Sequence, residues 1–206
     1  MAYSPVQKSA PEPWLTRRRE PFTYLLTLGM LGSGLLFGVM LFIYLVRKGD
    51  ADWHDVVLPR IFWASTAVMI GSSFSLHAAN RALRHERFLH YRILLGITLL
   101  LGMGFVVMQV WGWQSMIQSG VRINKDLAGA FIYLLSGVHL LHIAGGLLAL
   151  LMLWAEALRR TSYVDFFVYS VNPPNRLKFR LVMFYWHFVD ALWLAVFLFL
   201  LYHHQK

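Results

Sequence analysis

Cysteine is absent from all 206 residues. With it go structural disulfides, thiolate zinc sites, iron–sulfur clusters, covalently attached c-type haem and thiolate copper centres. Any metal would have to be held by His, Met or carboxylate. Charge is nearly as scarce, at 14% of residues against about 25% in ordinary globular domains. A chain so short of charge cannot cover a water-facing surface of its own, and 58% of it is hydrophobic with a mean hydropathy of +0.53. The solvent these residues imply is a bilayer. A short apolar core before a small-residue cleavage site is also missing from the first 21 residues, which are polar and rich in Pro. They read as a retained, disordered tail, not a signal peptide.

What the sequence does contain is five long apolar runs, Phe22 to Val46, Leu58 to Asn80, Ile93 to Trp113, Leu127 to Ala155 and Leu181 to Tyr202. Each exceeds the roughly 18 to 20 residues that cross a ~30 Å hydrocarbon core at 1.5 Å per residue. No water reaches that core, so every backbone group must bond within its own segment. Segments far longer than ~11-residue strands exclude a barrel. The expected fold is all-α, a polytopic bundle of five transmembrane helices. It forms one membrane domain over 22–206, with helices near 22–46, 58–80, 93–113, 127–155 and 181–202. The connections are short except Glu156 to Arg180, where Asn172-Pro-Pro-Asn175 forbids helix continuation and predicts an ordered or extended surface crossing.

The net charge of +9 does not call for nucleic acid, because the basic residues stand in short clusters between apolar runs. Thirteen Lys and Arg fall in the tail, the second loop and the fourth loop, and six on the other side. The asymmetry predicts a cytoplasmic N-terminus and an outer C-terminus.

Ionisable groups inside the spans are few, and each needs a partner or a purpose, at about 2.5 to 3.5 kcal/mol of insertion cost. Asp190 lies well inside the fifth run, one i,i+3 step after His187, and Trp186, Asp190, Trp193 and Phe197 share a stripe. His139 and His142 are also i,i+3, at a comparable depth in the fourth run. Two readings are open. One is a metal or haem site, or a proton relay, with His187 opposite His139 or His142. The other, preferred here, is an interhelical cluster of His139, His142, His187 and Asp190 that orders the bundle. His77, beside Asn80 and Arg81, reads as interfacial. Ser65, Thr66, Ser72, Ser73 and Ser75 are placed to bond back to their own helix or to bridge helices. Gly34-Leu-Leu-Phe-Gly38 permits close helix approach. Gly96, Gly102 and Gly104 lack a phosphate-binding spacing. Nine Met and eight Trp are scattered as fillers and interface anchors, with Trp154 and Trp186 near lipid head groups.

Two motifs carry a resemblance. Tyr185-Trp-His-Phe-Val-Asp-Ala-Leu-Trp193, followed by a wholly apolar exit, resembles the last helix of heme-copper oxidase subunit III, the cytochrome c oxidase subunit 3 family. Ser136-Gly-Val-His-Leu-Leu-His-Ile-Ala-Gly145 resembles that family's Gly-aromatic-His-x-x-His-x-x-x-Gly helix. Leu58-Pro59, Ser65-Thr66, Ser72-Ser73 and Gln109 also fit, so the resemblance runs from about Gly49 to Tyr202. It is closest to the five-span bacterial form. The resemblance implies a non-catalytic subunit without a redox centre, in the bacterial inner membrane. Such a subunit packs directly on subunit I beside subunit II, binds phospholipid and supports aerobic electron transport by the complex. Haem and copper then reside in partner subunits. Subunit IV and a quinol-oxidising complex extend the list of partners. By the same resemblance His139, His142, His187, Asp190, Trp186 and Trp193 are structural and lipid-binding positions. The alternatives are subunit III of a quinol oxidase or an accessory subunit of a nitric oxide reductase. More remote is a stand-alone b-type haem protein.

Overall fold

The computed structural model describes residues 21–49, 53, 56–123 and 126–204. The expected N-terminal tail lies outside the described residues, apart from Pro21. Among them the chain is all-α, with six helices. These are α1 (Pro21–Arg47), α2 (Ile61–Arg84), α3 (Phe88–Gln118), α4 (Leu127–Arg159), α5 (Tyr163–Val171) and α6 (Pro173–His204).

Four of them, α1, α3, α4 and α6, are long and apolar enough to cross a membrane. The second expected run became α2, whose 24 residues match a span in length. Its serines, Thr66, His77 and Asn80 make it less apolar than the other four. Helices α2 and α3 form a hairpin through a turn in which Glu86 takes φ 58°, a left-handed conformation unusual outside Gly. Its carboxylate accepts the Tyr163 hydroxyl at 2.8 Å. That bond holds the phenol above its ordinary pKa and ties α5 to the turn. At the other end of α3, Gly120 at φ 88° closes the helix. The N–H of Val121 reaches the Met116 carbonyl and that of Gly120 the Ile117 carbonyl, at 3.0 and 3.1 Å, the paired C-terminal bonds that need a residue in this conformation.

The crossing after Glu156 takes the ordered of the two expected forms, with a helix break at Asn172. It is not extended: α5 ends at Val171, and α6 begins at Pro173, well before the apolar run at Leu181. Proline cannot continue a helix, but it fits a first turn, where no N–H bond is owed. The Asn172 carbonyl accepts from the N–H groups of Asn175 and Arg176, both at 3.1 Å, so the Pro pair starts a helix.

The core lies between α2, α3, α4 and α6, with Trp186, Trp193, Phe62, Phe105, Leu76 and Leu95 fully buried. Helix α1 rests on α4 and α6 along one narrow edge, burying Met30, Phe37 and Tyr44. Leu25, Leu28, Leu31, Leu35 and Phe42 stay exposed.

Candidate functional site

The polar groups of α2 recur at a seven-residue spacing, Ser65-Thr66 and Ser72-Ser73, which keeps them on one face. Residues Trp186 and Trp193 of α6 recur at the same spacing, so two antiparallel helices meet in matched layers. In the first layer the Trp193 indole N–H donates to Thr66 Oγ1 at 3.0 Å, while the Thr66 hydroxyl donates to the Phe62 carbonyl at 2.7 Å. In the second, Trp186 Nε1 donates to Ser72 Oγ at 3.0 Å, and Ser72 donates to the Met69 carbonyl at 2.7 Å. Each hydroxyl thus spends its proton on its own helix and its lone pair on the neighbour. Gln109 of α3 joins from the side, its Nε2 donating to Ser65 Oγ at 3.1 Å. The expectation that these hydroxyls bond back or bridge is met in both forms at once.

Ser73 is arranged differently. It donates to Asp190 Oδ2, and His187 Nδ1 stands 2.9 Å from the same hydroxyl oxygen. A hydroxyl has one proton, and Asp190 receives it, so the His187 Nδ1 carries a hydrogen and donates. The second Asp190 oxygen, Oδ1, is buried with no hydrogen-bond partner among the described residues.

The four residues expected to form one cluster divide into separate sites. His187 and Asp190 face α2. His142 faces α1: its Nδ1 donates to the Val138 carbonyl of its own helix at 2.8 Å, and its Nε2 accepts from Ser33 Oγ of α1 at 2.9 Å. His139 makes no hydrogen bond among the described residues. It stacks on Trp193 with ring centroids 5.1 Å apart and an interplanar angle of 30°, and it meets the edge of Phe105 at 5.6 Å. The Trp193 indole therefore fills the space between His139 on α4 and Thr66 on α2. His187 is bonded to Ser73 on α2 and His139 is stacked on Trp193, so the two imidazoles are held by different partners. Among the described residues no group of three His, Asp or Glu is placed to hold a metal ion.

Of the other expected positions, Trp154 bonds through Nε1 to the Arg92 carbonyl at 3.1 Å, which joins α4 to α3 near their ends. His77 is exposed on α2. A Cβ added at Gly34 or Gly38 would meet nothing within 4 Å, so this pair serves no close approach inside the chain. Close approaches occur at other glycines, among them Gly112 against Phe62, and Gly102 and Gly146, which cradle Trp186. Among the polar contacts not foreseen from sequence are Ser33 with His142, the Trp113 indole donating to Ser136 Oγ at 2.9 Å, and Tyr44 with His204 at 2.8 Å. Each joins residues on different helices that no local spacing links.

The matched layers of α2 and α6 lie within the stretch, residues 56–205, that the family model described as "Cytochrome c oxidase subunit III" matches. The chain belongs to that family. Among similar proteins is a probable cytochrome c oxidase subunit 3 of Mycobacterium leprae, 32% identical over 83% of this chain and 83% of the relative. The cytochrome c oxidase subunit 3 of Bacillus sp. strain PS3 is 27% identical over 81% of this chain and 78% of its own length. That of Bacillus subtilis is 26% identical over 79% and 74%. The chain is accordingly a subunit III of a bacterial terminal oxidase, a multi-pass membrane component of a multisubunit complex. In this subunit III the motif residues Trp186, His187, Asp190 and Trp193 all turn to protein partners. His187 and Asp190 meet at the Ser73 hydroxyl, and together with Trp193 they line a cavity of about 250 Å³.

Proposed function

We propose that this subunit III is a five-span, non-catalytic packing subunit. It lies against subunit I in the bacterial inner membrane beside subunit II, with its N-terminus in the cytoplasm. Subunit IV and a quinol-oxidising complex are the further neighbours this reading admits. The observation that carries it is the consumption of the intramembrane indole and hydroxyl groups by interhelical bonds within the chain. Such a bundle holds shape and offers apolar flanks, and its redox chemistry resides in the haem and copper of its partners. Helix α2 acts as the fifth span: 24 residues rise roughly 36 Å at 1.5 Å each. Ser65, Thr66, Ser72, Ser73 and Ser75 bond to residues of α3 and α6, which shield them from hydrocarbon. The long exposed row on α1, from Leu25 to Phe42, suits lateral contact with a larger membrane subunit and with phospholipid, the one ligand this reading gives the chain itself. His139, His142, His187, Asp190, Trp186, Trp193, Trp154 and His77 then serve packing and lipid contact. The chain's relatives are cytochrome c oxidase subunits, which favours the cytochrome c-oxidising branch over a quinol oxidase.

The test is purification in mild detergent through a tag on this chain at native expression. A haem-containing subunit I should copurify, and the complex should oxidise reduced cytochrome c. Recovery of a lone chain would overturn the packing role. Copurification with quinol oxidation only would move the complex to the other branch.

A further inference from the structure

Ser73 on α2 stands between two groups of α6, Asp190 Oδ2 and His187 Nδ1, the second at 2.9 Å. Two hydrogens therefore join three heteroatoms in a row, and the row is satisfied in either of two ways. In one, His187 Nδ1 donates to Ser73 and Ser73 donates to Asp190, which is then a carboxylate. In the other, Asp190 is a neutral acid that donates to Ser73, and Ser73 donates to His187 Nδ1. No heavy atom has to move between them. The neighbouring hydroxyls run one way only. Ser72 and Thr66 each donate to a carbonyl of their own helix and accept from an indole N–H, and a carbonyl only accepts while an indole only donates.

The surroundings of Asp190 make the neutral form the cheaper one. Its second oxygen, Oδ1, is buried with no partner among the described residues, so a carboxylate here would be held by one hydroxyl. It would stand roughly 13 Å along α6 from Leu181, at bilayer depth. A neutral acid leaves only a carbonyl oxygen unpaired, which costs far less than a charge. Beside the row lies a cavity of about 250 Å³, lined by Ser73, His187 and Asp190 and roomy enough for water. His77, one turn along α2 from Ser73, is exposed and near enough to His187 for their charges to interact. The other titratable groups packed around α6 are engaged elsewhere. On α4, His142 is bonded to Ser33 and the Val138 carbonyl, and His139 lies against Trp193. Helix α1 brings Tyr44 and Lys48 to the far end of α6, at His204 and His203, and α5 meets it at Asn175 and Arg176. The next layer, Thr66 with Trp193, offers no onward acceptor, since the Thr66 proton goes to the Phe62 carbonyl.

We propose that His187, Ser73 and Asp190 form a proton-storage site. A hydrated proton in the cavity is taken up at His187 Nε2, while Nδ1 passes its hydrogen to Ser73 Oγ and Ser73 passes its own to Asp190 Oδ2. Three bonds to hydrogen break and three form: the imidazole changes tautomer and stays neutral, the hydroxyl is restored, and the carboxylate becomes a carboxylic acid. Release runs the same steps backwards. The row ends at Asp190, so the proton is held there and not conducted through the chain. This storage goes beyond the packing role, which stands whichever way the following test falls.

The experiment uses the assembled oxidase. Infrared spectra of wild type and Asp190→Asn, subtracted, isolate the C=O stretch of a protonated Asp190, and transfer into heavy water shifts that band as its proton exchanges. The band should be present in wild type. Its exchange should slow about a hundredfold in Ser73→Ala, which removes a positioned proton-transfer group. Ser73→Thr keeps the hydroxyl and should restore the wild-type rate. Ser75→Ala, whose hydroxyl bonds to the Leu94 carbonyl, should leave the rate unchanged. A bond that only ties α2 to α6 would act in the reverse sense, because its loss loosens the seam and speeds exchange. Exchange in Ser73→Ala as fast as in wild type, or faster, would overturn the site. So would absence of the band over the whole pH range in which the oxidase stays assembled. If Ser73→Ala does not assemble, His187→Gln carries the same comparison: its amide still donates to Ser73 but passes no proton on.

Discussion

Trp186 occupies the volume that Gly102 leaves empty: a Cβ on Gly102 would stand 2.8 Å from the indole Cη2. Gly146 on α4 closes the other side, its absent Cβ 3.0 Å from Cε3 of the same ring. Three helices thus meet on one indole, whose N–H reaches Ser72 on a fourth.

Gly102→Ala should therefore push against the ring and its α2 bond, at about 1 to 3 kcal/mol for an overpacked core. Gly34→Ala meets no atom inside the chain and gains up to about 1 kcal/mol of helix propensity. Thermal unfolding of the detergent-solubilised chain should show a lower midpoint for the first and none for the second. Equal midpoints would mean that the Trp186 cradle does not hold α3 and α4 together.

Asp190 and Ser73 supply the second test. Asp190→Leu removes the acceptor of the Ser73 hydroxyl inside the bundle, at about 1 to 3 kcal/mol. Asp190→Asn keeps an acceptor oxygen and should retain most of the stability. The expected oxidase begins turnover near the normal rate with Asp190→Leu but sheds subunit III sooner on warming. Immediate total loss of turnover in a fully assembled complex would make Asp190 a reacting group.

The long apolar runs were legible because run length and missing charge are properties of composition, which the bilayer reads directly. The family motifs were legible too, since Trp186, His187, Asp190 and Trp193 lie within two turns of one helix. The grouping of His139 and His142 with Asp190 was not. Spacing along a helix fixes depth and relative azimuth within that helix, but it does not say which neighbour a face meets. His187 and Asp190 turn to Ser73 on α2, and His142 turns to Ser33 on α1. The start of α6 at Pro173 was obscured by proline's two roles, as a stop for the preceding helix and a start for the next.

Orientation rests on the thirteen-to-six distribution of Lys and Arg and is tested by fusion. A reporter active only outside the cytoplasm should work after Lys206 and stay silent at Met1. The opposite result would reverse the bundle, and it would put Arg84, Arg176 and Arg180 at the outer leaflet.

His139 gives the sharpest contrast between packing and chemistry. Both of its ring nitrogens are buried without hydrogen-bond partners among the described residues, while its faces and edges touch Trp193, Phe105 and Phe37. A buried polar group without a partner is a cost, and replacing it by an apolar ring of similar shape removes that cost. His139→Phe should leave assembly and turnover unchanged, or raise the unfolding midpoint of the chain. His142→Phe should lower it, because Ser33 and the Val138 carbonyl each lose a partner, at about 1 kcal/mol per bond. A haem ligated by His139 would produce the opposite order, with a Soret band in the isolated chain that His139→Phe abolishes. The expected spectrum of the isolated chain has no Soret band with either histidine in place, since His139 is stacked on Trp193 and His142 is bonded to Ser33 and the Val138 carbonyl.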